Sequence, residues 1–149
     1  MIKQIQNNLI VELHVPDFVP IKDFYGKIGF VVVKEDPVTE KYLGYLVLRR
    51  DDVYGPTLLN FYGNDSRVSE QSFFKKFPIN TVRGYGSEIT IPVADIDTLW
   101  AQAKKHLSNH NIARELKEIN DEQVRWRDFR LVDPFGFYIR VTELIDWGQ

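Results

Sequence analysis

Two stretches of this chain run through the same order of patterns, and that duplication limits the fold more than any other feature. Aligning "VPD" at Val15 with "VAD" at Val93 gives an offset of 93 − 15 = 78 residues. Before Val15, "LIVELHV" alternates Leu9, Leu13 and their neighbours Val11 and Val15 against Ile10, Glu12 and His14, the period of a half-buried strand. Asp17 then stands as a helix N-cap, with Ile21, Phe24, Tyr25 and Ile28 on one helical face until Gly29. Strand-like runs follow at Phe30 to Lys34, Tyr42 to Arg49 and Thr57 to Tyr62, separated by Asp-Pro, Asp-Asp and Gly-Asn turns. The second copy starts with Ser87 to Val93, caps a helix with Asp95, and places Ile96, Leu99, Trp100, Ala103 and Leu107 on its apolar face. It closes with strands at Ile112 to Ile119, Val124 to Val132 and Phe137 to Thr142.

A repeat of this length is a duplicated module and not a solenoid. The expected class is α+β: two tandem βαβββ modules forming curved antiparallel sheets around a concave cavity, with the helices on the outer face. Module 1 spans about residues 8–65, a link about 66–86 and module 2 about 87–145, together a single domain of 149 residues. Phe73, Phe74 and Phe77 suggest a link that packs on something.

Charge and composition remove several function classes. The net charge is −2 without a basic stripe, which speaks against nucleic acid and anionic membrane as partners. Cysteine is absent, so disulfides and thiolate chemistry are excluded. No run approaches the roughly 20 apolar residues of a membrane span, and the start runs into a strand pattern without a signal peptide. A cytoplasmic protein is expected. No phosphate-binding glycine loop, nucleophile elbow or HExxH motif occurs.

In the last strand, Ile139 and Val141 alternate with Tyr138, Arg140 and Thr142, so a polar row faces away from the core. Trp126, Asp128 and Arg130 fall on the same concave row one strand earlier, and Tyr45 and Tyr62 join it from module 1. Trp126 suits stacking on a planar or cationic ligand, or sealing a dimer interface. His14 and Glu12 share the row of the first strand, where the histidine acts as a base or ligand, or rests at the rim with a local bond. His106 and His110 are expected to close the second helix against its dipole. Phe24, Tyr25 and Trp100 have core spacing. Asp133-Pro134-Phe135-Gly136 is a turn, and Phe135 there is expected to be exposed and available to an interface.

The duplicated βαβββ order, with "VPDFVPIKDFYGKIGF" opening the first copy and "VDPFGFYIRV" closing the second, resembles the vicinal oxygen chelate superfamily. That group includes glyoxalase I, extradiol dioxygenases, fosfomycin-resistance enzymes and bleomycin-resistance proteins. In its metal-using members, His and Glu ligands come from the first and last strand of each module. The resemblance maps those positions to Ile10, Asn60 (or Leu59), Glu88 and Arg140, of which only Glu88 would hold a metal strongly. Glu88 and Arg140 either pair where the metal would sit or receive a charged ligand.

The pattern is closer to the metal-free bleomycin-resistance branch. The resemblance therefore implies a homodimeric small-molecule binder without cofactor. Its guest would be an aromatic or cationic compound such as an antibiotic, held by Trp126, Arg140, Glu88, Asn60, Tyr62, Tyr138, Tyr45, Asp128, Glu12 and His14. The alternative is a metal-dependent lyase or dioxygenase with a displaced site built from Glu88 with His14 or Glu12. A third reading is a protein-interaction subunit with a vestigial cavity.

Overall fold

The computed structural model describes residues 10–64, 86–120 and 125–144. In chain order these form β1 (Glu12–His14), α1 (Phe18–Gly26), β2 (Val31–Asp36), β3 (Tyr45–Arg50) and β4 (Thr57–Tyr62). The same order returns as β5 (Ile89–Pro92), α2 (Ile96–His106), β6 (Ile112–Asn120), β7 (Arg125–Val132) and β8 (Tyr138–Thr142). The proposed link, with Phe73, Phe74 and Phe77, lies outside the described residues.

Both helices start where their caps require. The Asp17 carboxylate accepts from the Val19 amide at 2.9 Å, and Asp95 accepts from the Thr98 amide at 3.0 Å, each satisfying an otherwise orphaned N–H. Lys104, Lys105 and His106 sit in the last turn of α2, where cations suit the carbonyl end of the helix. His110 does not belong to that helix. It occupies a separate 3-10 turn, Asn109–Asn111, within 3.1 Å of the Ser108 hydroxyl.

Each module is one four-stranded sheet, ordered β1-β4-β3-β2 and β5-β8-β7-β6. The sheets are mixed and not purely antiparallel as the hairpin-like turns suggested. β1 runs parallel to β4, and β5 parallel to β8. The reason is the helix after the first strand: it carries the chain back to the starting end, so β2 repeats the direction of β1, and two hairpins then restore that direction in β4.

One face of each sheet is apolar and lies under its helix. Leu46, Leu48, Leu59 and Phe61 join Ile21, Phe24, Tyr25 and Ile28, while Ile91, Phe129, Leu131, Ile139 and Val141 join Ile96, Leu99 and Ala103. Trp100 packs its ring 5.2 Å from that of Phe129. Each fully buried side chain of this size contributes about 1.5–3 kcal/mol of transfer free energy. Phe135, expected outside, is half-buried against this core, because the Asp133 carboxylate accepts from the Phe135 and Phe137 amides at 2.9 Å and folds the turn inward.

The modules meet on the helix side. The Tyr25 hydroxyl of α1 reaches Asp133 before β8 at 3.0 Å, and Asp52 after β3 accepts from the Ala94 amide before α2 at 3.2 Å. Among the described residues, no helix is long and apolar enough to cross a membrane.

Candidate functional site

The face away from the helix carries the polar rows, and it is best described one module at a time. In module 1, the register sets Glu12 beside Asn60 and His14 beside Tyr62, with Tyr45 across from Tyr62. The Tyr45 hydroxyl donates to Glu12 at 2.6 Å and accepts from the Asn60 amide nitrogen at 2.7 Å. Burial, then the bond to Glu12, pushes the Tyr45 hydroxyl up to about 12. Tyr62 lies edge-on to Tyr45 at 4.8 Å and stacks with His14 at 5.1 Å. Asn60 is 7% exposed, and its carbonyl oxygen is buried and finds no hydrogen-bond partner among the described residues. Leu59, the other candidate for the mapped position, points into the core.

Module 2 presents a charged network. Asp128 on β7 is fully buried. Its Oδ2 accepts from Arg140 at 2.8 Å, from the Trp126 indole at 3.2 Å and from Arg130 at 3.3 Å, and its Oδ1 lies against Arg114 of β6. Glu88 pairs closely with Arg130, while its nearest approach to Arg140 is 3.9 Å. Arg140 lies over the Trp126 ring at 5.6 Å, and Arg130 over the Tyr138 ring at 5.8 Å. Burial, then the neighbouring Arg130, lowers the affinity of Arg114 and of Arg140 for their protons.

The residues expected to hold a guest therefore fall in two groups, one on each sheet. Glu12, His14, Tyr45, Asn60 and Tyr62 belong to module 1. Glu88, Trp126, Asp128, Tyr138 and Arg140 belong to module 2. Two things were missed. Arg114 escaped because β6 shifts register against β7 on both sides of it, so strict alternation cannot assign its face. Arg130, though placed on the row, was not given its role as the principal partner of Glu88. A count of arginines opposite two acidic residues was the available signal.

No protein-family profile and no curated protein sequence matches the chain. Solved structures do. It is similar to a bleomycin-binding protein complexed with bleomycin, at TM-score 0.61 and 17% identity over 93% of this chain and 99% of that one. The chain has the vicinal oxygen chelate fold. It is also similar to a glyoxalase/bleomycin resistance protein/dioxygenase from Alicyclobacillus acidocaldarius, at TM-score 0.57 and 19% identity over 95% of this chain and 96% of that one. A glyoxalase family protein from Enterococcus faecalis aligns at TM-score 0.58 and 20% identity, covering 93% and 98%.

The metal centre that this fold holds in some members does not fit the residues found here. Ile10 is 59% exposed and has no ligating atom, Asn60 is tied to Tyr45, and Glu88 is engaged by Arg130. At the fourth position stands the guanidinium of Arg140, a cation that repels another. Among the described residues, no three His, Asp or Glu side chains gather into a set able to hold a metal.

Proposed function

We propose that this protein is a metal-free small-molecule binder of the bleomycin-resistance type, acting as a homodimer whose guest is held against the polar faces of its sheets. One observation carries the reading: where a vicinal oxygen chelate enzyme would hold a divalent ion, a guanidinium stands bonded to Asp128 and over the ring of Trp126. That arrangement offers ring faces and hydrogen bonds, which orient a guest, and lacks an open coordination position, which would activate one. Tyr45, Tyr62 and His14 supply a second aromatic wall with Glu12 beside it, suited to the planar or cationic part of a compound such as an antibiotic.

The open faces support the dimer. A polar face of one chain set against the face of a second copy would enclose a guest between them.

The test is elemental analysis of protein purified without chelator and then offered manganese, iron, nickel and zinc, followed by a tryptophan-fluorescence screen of aromatic compounds. The expected result is no stoichiometric metal, and binding of at least one aromatic compound that Trp126→Ala weakens. One tightly held ion per chain would overturn the proposal in favour of a lyase or dioxygenase with a displaced site.

A further inference from the structure

The guest is expected to be aromatic, and the charge arrangement on module 2 says more about it. Three guanidiniums, Arg114, Arg130 and Arg140, stand against two carboxylates, Asp128 and Glu88, which leaves one positive charge over. The hydrogen-bond count leans the same way: three arginines bring about fifteen N–H donors, whereas two carboxylates offer about eight lone-pair sites. Asp128 is already engaged: its Oδ2 accepts from Arg130, Arg140 and the Trp126 indole, and its Oδ1 lies against Arg114. Glu88 receives Arg130 and, at 3.3 Å, the Thr90 hydroxyl. The Nε groups of Arg114 and Arg130 are buried and find no acceptor among the described residues. Among the described residues, no third carboxylate stands against these arginines.

We infer that the Arg114–Arg130–Arg140 cluster is an anion subsite, which takes a carboxylate, phosphate or sulfonate borne by an aromatic guest whose ring lies along Trp126 or Tyr138. Asp128 holds the three guanidiniums in place from below, fixing their planes before any ligand arrives, so the ordering cost of gathering like charges is met on folding. Glu88, exposed at the rim, occupies part of the donor set in the free protein and is displaced or shared when the anion binds. Planar guanidiniums favour bidentate oxyanions over halides, and the two rings under Arg130 and Arg140 favour an anion attached to an aromatic body. The inference rests on the binder reading for the aromatic part of the guest and on the cluster alone for its charge.

The experiment compares 2-naphthoate with its uncharged amide, 2-naphthamide, by fluorescence titration of the full chain, and measures the melting temperature in sulfate against chloride at equal ionic strength. Naphthoate is expected to bind at least about tenfold more tightly than the amide, with a preference that declines as salt rises. Glu88→Gln raises the net charge of the cluster and is expected to tighten naphthoate binding, widening its preference over the amide. Arg114→Lys keeps the charge that Asp128 needs but loses the planar fork, and is expected to reduce the preference for naphthoate. Equal binding of the two compounds, or weaker naphthoate binding in Glu88→Gln, would overturn the anion subsite and leave the aromatic binder standing. If neither compound binds but sulfate raises the melting temperature of the unsubstituted chain more than that of Arg114→Lys, the anion subsite stands and the aromatic binder reading falls. If sulfate stabilises the two alike, both are overturned.

Discussion

The Tyr25 hydroxyl donates to the Asp133 carboxylate at 3.0 Å, joining two residues that lie 108 positions apart and belong to different modules. Burial, then the Asp133 charge, raises the Tyr25 hydroxyl well above its ordinary value, so it remains a donor. Tyr25→Phe keeps the ring packing and removes only this bond. The expected cost is about 1–3 kcal/mol, because a buried carboxylate loses one partner. Urea denaturation measures it, and a change below experimental error would show that the bond does not tie the modules together.

Asp128 is the only acidic group among the described residues that touches all three clustered arginines. Asp128→Ala leaves those cations against one another, and should destabilise by about 3–5 kcal/mol, the loss typical of breaking a buried ion pair from one side. Adding Arg140→Met to that variant should restore part of the loss, since it removes one uncompensated charge. A double-mutant cycle by chemical denaturation decides whether the two effects couple.

Tyr45 should titrate late. Its folded value of about 12 lies above the ordinary tyrosine value, so folding favours the protonated phenol. That contribution to stability is complete below about pH 10 and is lost as the pH rises through about 12. Alkaline spectrophotometric titration should show one phenolate step near 12 that Tyr45→Phe removes. Glu12→Gln should move that step downward, because it takes away the carboxylate that accepts the proton's bond.

Two glycines with positive φ separate backbone strain from crowding. Gly136, at φ +92, has nothing within 4 Å of an added Cβ, whereas at Gly44, φ +78, that Cβ would meet the Val38 amide nitrogen at 2.9 Å and the Asp36 carbonyl oxygen at 3.0 Å. Gly136→Ala should cost about 1–2 kcal/mol from the left-handed conformation alone. Gly44→Ala should add about 1–3 kcal/mol of overpacking. Thermal denaturation of the two variants should therefore rank Gly44→Ala as clearly the less stable.

The sequence by itself determined the parts of this protein that depend on near neighbours. Alternation put Ile139 and Val141 inward and Arg140 on the opposite row, spacing put Ile21, Phe24 and Tyr25 on one helical face, and Asp17 and Asp95 marked where the helices begin. The 78-residue offset then set the order of two modules, and alternation placed Trp126, Asp128, Arg130 and Arg140 on one row. Tertiary structure decided who meets whom. The parallel pairing of β1 with β4, the bond from Tyr25 to Asp133, the preference of Glu88 for Arg130 over Arg140 and the arrival of Arg114 at Asp128 all depend on strand order and register. Periodicity tells which face a side chain takes, since that follows from bond geometry along one strand. It does not tell what lies across the sheet, because a shift of one residue in a neighbouring strand changes every partner while leaving each local pattern intact.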